Sequence, residues 1–301
     1  PGVEPAHRLR RMPKDGQSGC GPSCMRTERG KTMRTSLDDL SMIIREIALF
    51  RALAEHVLDD VARSSEVLNL AKGKRIYAAG DRPRALYHVM SGHLKVSVSS
   101  MDGSEKVIEI LEPQQLFGVA EIFGGAPCVS SVETVTPVVL LAIGREGVLR
   151  AVEKDAALSR RMLSTMAQRQ SSIEREIAAD CFQSGSGKLV DYLLRLGGAS
   201  VESGRSVVLQ LIIPKHVLAA RMGITPETLS RIFRELSDAG MINVNGKQLT
   251  LTEAFCRRYA SRIVPHGDVL GAPSRARASQ MGSWHAPEGV RRLMGVGVRG
   301  L

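Results

Sequence analysis

A short stretch near the C-terminal end of the chain, ITPETLSRIFREL, places polar side chains at helical spacing. Thr225 can cap a helix that begins at Pro226, because a proline has no N–H to leave unpaired at the first helical position. The polar side of this helix holds carboxylate, hydroxyl and guanidinium groups, which pair with base edges and phosphates in the major groove of DNA. The side chains predicted to contact DNA are Thr225, Glu227, Thr228, Ser230, Arg231, Arg234 and, from a following turn, Lys247.

The surrounding sequence is typical of a winged helix-turn-helix. On the other side of the same helix, Leu229, Ile232, Phe233 and Leu236 recur at spacing that predicts a buried face. The preceding stretch KHVLAARM joins this helix through a glycine, which is the helix-turn-helix signature. After it, NVNGK predicts a type I′ hairpin at Asn–Gly, which would form the wing. A solvated, mixed-charge helix face is the alternative interpretation, and this context favours DNA binding.

A glycine-punctuated region precedes this domain. From residue 67 to residue 143, short β-type runs alternate with glycine or proline turns, and HLKVSVSS alternates apolar and polar residues. Many short strands at regular spacing predict a closed roll or barrel. An amphipathic helix is expected to begin near Ser36, and a strand is expected over VVLQLII, residues 207–213.

A long helix is predicted between the two regions. Positions three or four apart along it are apolar at Leu158, Met162, Met166, Ile173 and Ile177, and Arg169 interrupts this pattern. Such a seam is typical of a helix that pairs with a second copy, and packing against its own β-domain is the alternative. FQSGSGK, residues 182–188, is expected to break this helix, and residues 181–188 are expected to act as a hinge. The next helix is expected over residues 188–196.

The charge of the chain lies mostly in its ends. The formal net charge is +10. Residues 1–34 hold eight Lys/Arg against three Asp/Glu, and residues 257–301 hold eight Arg against two acidic residues, so the middle is close to neutral. A DNA site in the middle must therefore be a local patch. The basic N-terminal stretch has no apolar core of the kind found in secretory signals, and no run of about 18 apolar residues predicts a membrane span.

We predict an α+β fold with an N-terminal β-roll, a long helix and a C-terminal winged helix-turn-helix. This order of elements resembles the Crp/Fnr family, and the resemblance implies that the roll is cyclic-nucleotide-binding-like and that the long helix is a dimerisation helix. The predicted parts are a basic disordered extension at 1–36, a β-roll sensor domain at 37–155, the dimerisation helix at 156–182, a winged helix-turn-helix DNA-binding domain at 183–255 and a basic disordered tail at 256–301.

The sequence does not favour an enzyme. It contains no phosphate loop, no metal-spaced His/Cys cluster and no nucleophile elbow, so neither catalytic residues nor a metal site are predicted. Five cysteines and no secretory signal are typical of a reduced, cytoplasmic protein.

These features together resemble the Crp/Fnr family of bacterial transcription regulators, over residues 58–252. The pattern E–T–L–S–R at Glu227, Ser230 and Arg231 resembles the branch that recognises TTGAT…ATCAA palindromes. The stretch IPKHVLAARMGITPETLSRIFREL most resembles the dissimilative nitrate respiration regulator type, whose members are thought to respond to nitric oxide through haem.

The resemblance also predicts where an effector would bind. The stretch FGVAEIFGGAPCVSS matches the family's phosphate-binding cassette, so the expected effector pocket consists of Phe117, Gly118, Val119, Glu121, Cys128, Val129 and Ser130. Valines replace the family's ribose-binding Glu and phosphate-binding Arg, at Val119 and Val129, which argues against cyclic AMP. An iron–sulfur cluster is disfavoured because only Cys20 and Cys24 form an N-terminal cysteine pair and four thiolates are normally needed.

Haem is the remaining cofactor candidate, and the histidines of the sensor half that could ligate it are His56, His88 and His93. His216 is expected at the surface or near a DNA phosphate. The expected partners are double-stranded DNA, a second copy of the chain and, for an activator, RNA polymerase; no membrane is expected. The alternatives are a regulator that responds to another small molecule or to cysteine redox state, and a sensory subunit that controls a partner enzyme.

Overall fold

A computed structural model describes residues 31–33 and 35–259 of the chain. The predictions that fall on the remaining residues, including Cys20, Cys24 and most of both charged ends, lie outside the described residues. None of the helices in the described part is long and apolar enough to cross a membrane.

The N-terminal half is a roll of two antiparallel sheets with helices packed outside. Its strands are β1 (Lys31–Met33), β2 (Ser65–Leu70), β3 (Arg75–Tyr77), β4 (Ala85–Ser91), β5 (Leu94–Ser99), β6 (Glu105–Leu111), β7 (Leu116–Phe117), β8 (Ser131–Thr134) and β9 (Val138–Gly144). The sheet orders are β1-β2-β9-β4-β7 and β3-β8-β5-β6. Its helices are α1 (Leu37–Glu46), α2 (Glu55–Arg63), α3 (Val119–Gly124), α4 (Arg145–Lys154) and α5 (Ala156–Phe182).

Glycines make the turns of this roll as the sequence predicts. Gly92, between β4 and β5, has a φ of 85°, and a Cβ there would lie 2.2 Å from the carbonyl oxygen of Pro137. A side chain at this position would therefore meet both backbone strain and a clash.

The C-terminal half is a winged helix. Its elements are α6 (Gly185–Gly197), α7 (Ala199–Glu202), β10 (Val207–Gln210), α8 (Lys215–Met222), α9 (Pro226–Asp238), β11 (Ile242–Asn245), β12 (Gln248–Leu251) and α10 (Glu253–Tyr259). The three strands form one antiparallel sheet in the order β10-β12-β11. The predicted fold class is confirmed.

The long helix divides its apolar seam between two environments. Leu158 and Met162 are 0% and 4% exposed and belong to the core between the roll and its helices. Met166, Ile173 and Ile177 are 39%, 43% and 58% exposed. The first part of the seam therefore packs against its own domain, as in the alternative interpretation, and the second part is an exposed apolar surface.

Two predicted boundaries are wrong at the ends of the described chain. Lys31–Met33, expected within a disordered extension, pairs as an edge strand with β2, whose outer edge offers backbone partners. α10 continues to Tyr259, beyond the predicted start of the tail at residue 256, because Phe255 and Cys256 are buried in the winged-helix core.

Three local predictions are also wrong in the winged helix. The predicted strand over residues 207–213 ends at Gln210, and Leu211 and Ile213 turn into the core ahead of α8. The turn of the wing is not type I′, because its central residues are Gly246 and Lys247 and only Gly246 has a positive φ. The helix break covers only residues 183–184, since the Ser184 hydroxyl caps α6 by accepting from the Gly187 amide at 3.2 Å.

Candidate functional site: a nucleic-acid interface

The recognition helix α9 begins where the sequence predicts. The hydroxyl of Thr225 accepts a hydrogen bond from the Thr228 amide at 3.2 Å, and Pro226 is the first helical residue. Upstream, α8 ends at Gly223, whose φ of 69° lies in the left-handed region, and the Ile224 amide donates to the Ala219 carbonyl at 3.1 Å. These contacts fix the turn between the two helices.

The apolar side of α9 anchors the helix in the winged-helix core. Leu229, Ile232 and Phe233 are 1%, 6% and 5% exposed, and Leu236 is half-buried. The Lys215 ammonium lies 5.4 Å from the centre of the Phe233 ring, a cation–π contact that the sequence did not suggest.

The predicted DNA-contacting side chains share the solvent side of the helix and the wing. All of them are exposed except Thr228, which is half-buried. The Ser230 hydroxyl donates to the Pro226 carbonyl at 2.9 Å, and Arg231 lies 3.8 Å from Glu235 in an exposed ion pair. Such a pair is weak in water, so Arg231 can exchange it for a base or a phosphate.

Glu227 is held as an acceptor at the start of the helix. Its own backbone N–H and then the Thr225 hydroxyl keep the pKa of its carboxyl below the ordinary value. The carboxylate is therefore ionised at neutral pH and can accept a hydrogen bond from the amino group of cytosine.

The residues predicted to form an effector pocket lie in different layers of the sensor domain. Phe117 and Cys128 are buried inside the roll, where the Phe117 ring stacks on Tyr87 at 5.0 Å between centroids. Val119 packs on the other side, against the helix-covered core, and Val129 is 84% exposed. Gly118 begins α3 with a φ of 90°, and Ser130 is half-buried.

One of the seven expected pocket residues, Glu121, connects the roll interior to an outer recess. The Tyr77 hydroxyl donates to its carboxylate at 3.3 Å. Glu121 also lines a recess of about 650 Å³ with Arg82, Arg84 and Arg145. The Arg145 Nε donates to the Ile122 carbonyl at 2.8 Å, which helps to hold the end of α3.

The candidate haem ligands lie in three different places. His56 is exposed on α2, and His93 is half-buried in the turn between β4 and β5. His88 on β4 is 4% exposed, and its Nδ1 is buried without a hydrogen-bond partner. Burial lowers the pKa of His88 to about 4, so this imidazole is neutral, the form that binds metals.

Two of the described cysteines are poor candidates for redox chemistry. Burial, followed by the charges of Glu121 and Asp81, raises the pKa of the Cys128 thiol to about 11. Burial also raises the pKa of Cys256. The reactive form is the thiolate, which both sites disfavour. Within residues 31–33 and 35–259, no group of three His, Cys, Asp or Glu side chains is arranged to hold a metal ion.

Comparison with known proteins identifies both halves of the chain. Residues 67–155 match the model of the cyclic nucleotide-binding domain, and residues 187–254 match the model of the Crp-like helix-turn-helix domain. The chain is a Crp-like transcription regulator. The exposed polar side of α9 is therefore part of a DNA-binding domain.

The relatives of this Crp-like regulator align over most of their own length and over about two-thirds of this chain. The CRP-like cAMP-activated global transcriptional regulator of Mycobacterium tuberculosis is 21% identical over 70% of this chain and 95% of its own length. The cyclic AMP receptor protein of Thermus thermophilus is 26% identical over 68% of this chain and 93% of its own length. The solved structure of FixK2 from Bradyrhizobium japonicum superposes with a TM-score of 0.56 at 17% identity, covering 69% of this chain and 98% of FixK2. At 17% identity, the similarity to FixK2 supports the fold of this chain and nothing about its function.

Proposed function

We propose that this Crp-like regulator is an effector-controlled homodimer that recognises a TTGAT-type palindrome, in the cytoplasm, through α9. The observation that carries the proposal is the exposed row of Glu227, Ser230 and Arg231 on a helix that is capped by Thr225 and anchored by its apolar side. A carboxylate, a hydroxyl and a guanidinium within the first two turns of the helix can pair with cytosine, a phosphate and guanine.

The dimer places two such helices on one duplex. The exposed end of the α5 seam, with Met166, Ile173 and Ile177, is the surface that a second copy would cover. Two identical recognition helices related by a twofold axis require a twofold-symmetric DNA site, which is the symmetry of a palindrome. An activator of this type would also contact RNA polymerase.

The test of this proposal is selection of bound duplexes from a random library with the full-length protein. We expect enrichment of two inverted TTGAT-like half-sites. Enrichment of another symmetric sequence would contradict the operator, and enrichment of no sequence would contradict specific DNA recognition. The matched control is Glu227→Ala, Arg231→Ala, which removes two polar groups from the exposed side of α9 and should abolish enrichment.

Cyclic AMP is not the effector in this proposal, although the named relatives are activated by it or named after it. Val129, at the position of the expected phosphate-binding Arg, is 84% exposed and offers no charge. The rings of Tyr77, Tyr87 and Phe117 are buried together inside the roll. Titration calorimetry with cyclic AMP should show no heat of binding, and saturable binding would contradict this part of the proposal.

A haem-based nitric oxide sensor is the second candidate, and His88 is the observation that favours it. Its neutral imidazole is buried with an unpartnered Nδ1, so His88 would be the residue that holds the iron of a bound haem. The bound group would supply the gas-binding iron, and the chain would supply His88 and the apolar core around it. Titration with ferric haem should give a shifted Soret band in the wild type and in His56→Leu and His93→Leu, and none in His88→Leu. A shift retained by His88→Leu would exclude His88 as the ligand.

A further inference from the structure

Strand β6 of the sensor contacts both the long helix and the winged-helix domain. On one side, Glu109 pairs with Arg169 of α5, with 2.7 Å between Oε1 and Nη1. On the other side, Lys106 contacts the last turn of α8. Ile108 lies between these two residues, where the register with β5 shifts and leaves it without a partner. Strand β6 therefore contacts both α5, which is expected to form the dimer, and α8, which orients α9.

The contact to α8 is made at the turn of the helix-turn-helix. The Lys106 Nζ donates to the Arg221 carbonyl at 3.1 Å, in a partly buried contact. That carbonyl belongs to the last turn of α8, where the helix dipole favours a cation. A Cβ on Gly223 would lie 3.0 Å from the same Nζ, so the ammonium rests directly against the turn.

Apolar contacts continue the same junction. Val135, just after β8, is 5% exposed and is part of the winged-helix core rather than the core of the roll. Ile110 on β6 packs against that core as well. The sensor therefore supplies one wall of the domain that carries α9, and Lys106 makes the polar contact at its edge.

We infer that Lys106 is a positioning residue for DNA recognition. It holds the end of α8 and the turn at Gly223, and this fixes the angle at which α9 leaves the turn. A recognition helix held in advance loses less freedom on binding, so DNA affinity should depend on Lys106 even though this side chain lies in the sensor. The expected effect on DNA affinity rests on the proposed function. The expected effect on the turn at Gly223 can be measured in the free protein and does not.

Two variants of Lys106 and one control variant test whether the ammonium of Lys106 positions the turn. Lys106→Met keeps the apolar stem and removes the ammonium, whereas Lys106→Arg keeps a cationic donor. Lys154→Met is the control, because Lys154 also makes a 2.8 Å contact in the sensor, to Asp60, and lies on α4, away from this turn.

The first readout is hydrogen exchange of the free protein over residues 220–226, with the thermal midpoint as a check on folding. In Lys106→Met, the amides of Gly223 and Ile224 should exchange at least about threefold faster, because the last turn of α8 loses the hydrogen bond from Lys106 to the Arg221 carbonyl. Lys106→Arg and Lys154→Met should exchange like the wild type. Unchanged exchange in Lys106→Met would overturn the inference, whether or not the protein binds DNA.

The second readout is affinity for the duplex that the wild type prefers, measured over a range of salt concentrations. Lys106→Met should bind about fivefold more weakly with the same salt slope, because a positioning residue releases no counterions. Unchanged or higher affinity would overturn the inference, and so would a salt slope smaller by about one, the signature of a direct phosphate contact. If the wild type binds no duplex at all, the proposed function fails while the exchange result still decides the contact.

Discussion

Arg169 of α5 forms a two-point ion pair with Glu109 of β6, just where the seam of the long helix passes from buried to exposed. One pair of atoms is 2.7 Å apart, and the second pair joins Arg169 Nη2 to Glu109 Oε2. Arg169, which interrupts the apolar pattern in the sequence, therefore binds the helix to its own sensor domain. Ile173 and Ile177, which follow it, remain exposed and available to a partner.

This ion pair should make a small contribution to stability. Arg169 is 44% exposed and Glu109 is 19% exposed, so water screens their attraction. A double-mutant cycle with Arg169→Met and Glu109→Gln, followed by urea unfolding, should give a coupling free energy below about 1 kcal/mol. The coupling should fall further at 1 M salt. A coupling free energy well above that value would mean that the pair is desolvated by a contact that a single chain does not show.

The exposed seam should decide the oligomeric state. Ile173→Glu with Ile177→Glu would place carboxylates in an apolar interface between two copies, and the dissociation constant should rise about 100-fold or more. Light scattering after size exclusion should then show a monomer at micromolar concentration. Gln168→Glu is the control, since Gln168 is exposed on another side of the same helix and should leave the dimer intact. A dimer that survives both isoleucine changes would place the interface elsewhere.

His88 should make stability depend on pH. Its pKa is about 4 in the folded chain, against 6.5 for an ordinary histidine. Between these values the unfolded chain binds the proton and the folded chain does not, so stability falls as pH drops through this range and is unaffected above it. The loss from pH 7 to pH 4 should approach about 3 kcal/mol.

Urea unfolding of the wild type, His88→Leu and His56→Leu at several pH values measures this effect. His88→Leu should lose most of the slope between pH 6.5 and 4, and it should be as stable as the wild type at pH 7, because it removes an unpartnered polar atom from an apolar site. His56→Leu should keep the slope. The same slope in His88→Leu would assign the pH dependence to other groups.

The helix-turn-helix of α8 and α9 was the most predictable part of the chain, because its signals are local. Thr225, Pro226 and Gly223 each have a conformational reason to occupy their positions within a few residues, and the structure has the predicted cap and turn. The glycine turns of the roll were predictable for the same reason.

The parts that sequence reasoning missed depend on contacts between distant residues. Nothing near Val135 indicates that it is buried in the winged-helix core, and nothing near Lys106 indicates a bond to Arg221. The sequence shows the interruption of the α5 seam at Arg169, but only the packing of Met162 against the roll shows where the buried part ends. The sequence also does not show that the cassette residues Val119 and Cys128 belong to different layers of the sensor.

Two substitutions should separate base recognition from phosphate binding. Arg231→Ala should weaken binding to the preferred palindrome by about 1–3 kcal/mol and relax the preference for one base pair in each half-site. Lys247→Ala, at the tip of the wing, should weaken binding to all duplexes alike and reduce the salt slope by about one per half-site. Affinities for the palindrome and for single-base variants, measured at several salt concentrations, distinguish the two effects. A sequence-independent loss in Arg231→Ala would make that residue a phosphate contact.

The most direct test of the central claim is fluorescence anisotropy of full-length protein with a labelled TTGAT…ATCAA duplex and a scrambled duplex of equal length, at fixed salt. The titration is made with the protein alone, with ferrous haem, and with ferrous haem and nitric oxide. We expect the protein to bind the palindrome at least about 1,000-fold tighter than the scrambled duplex in one of these states. Equal affinity for both duplexes in every state would contradict it.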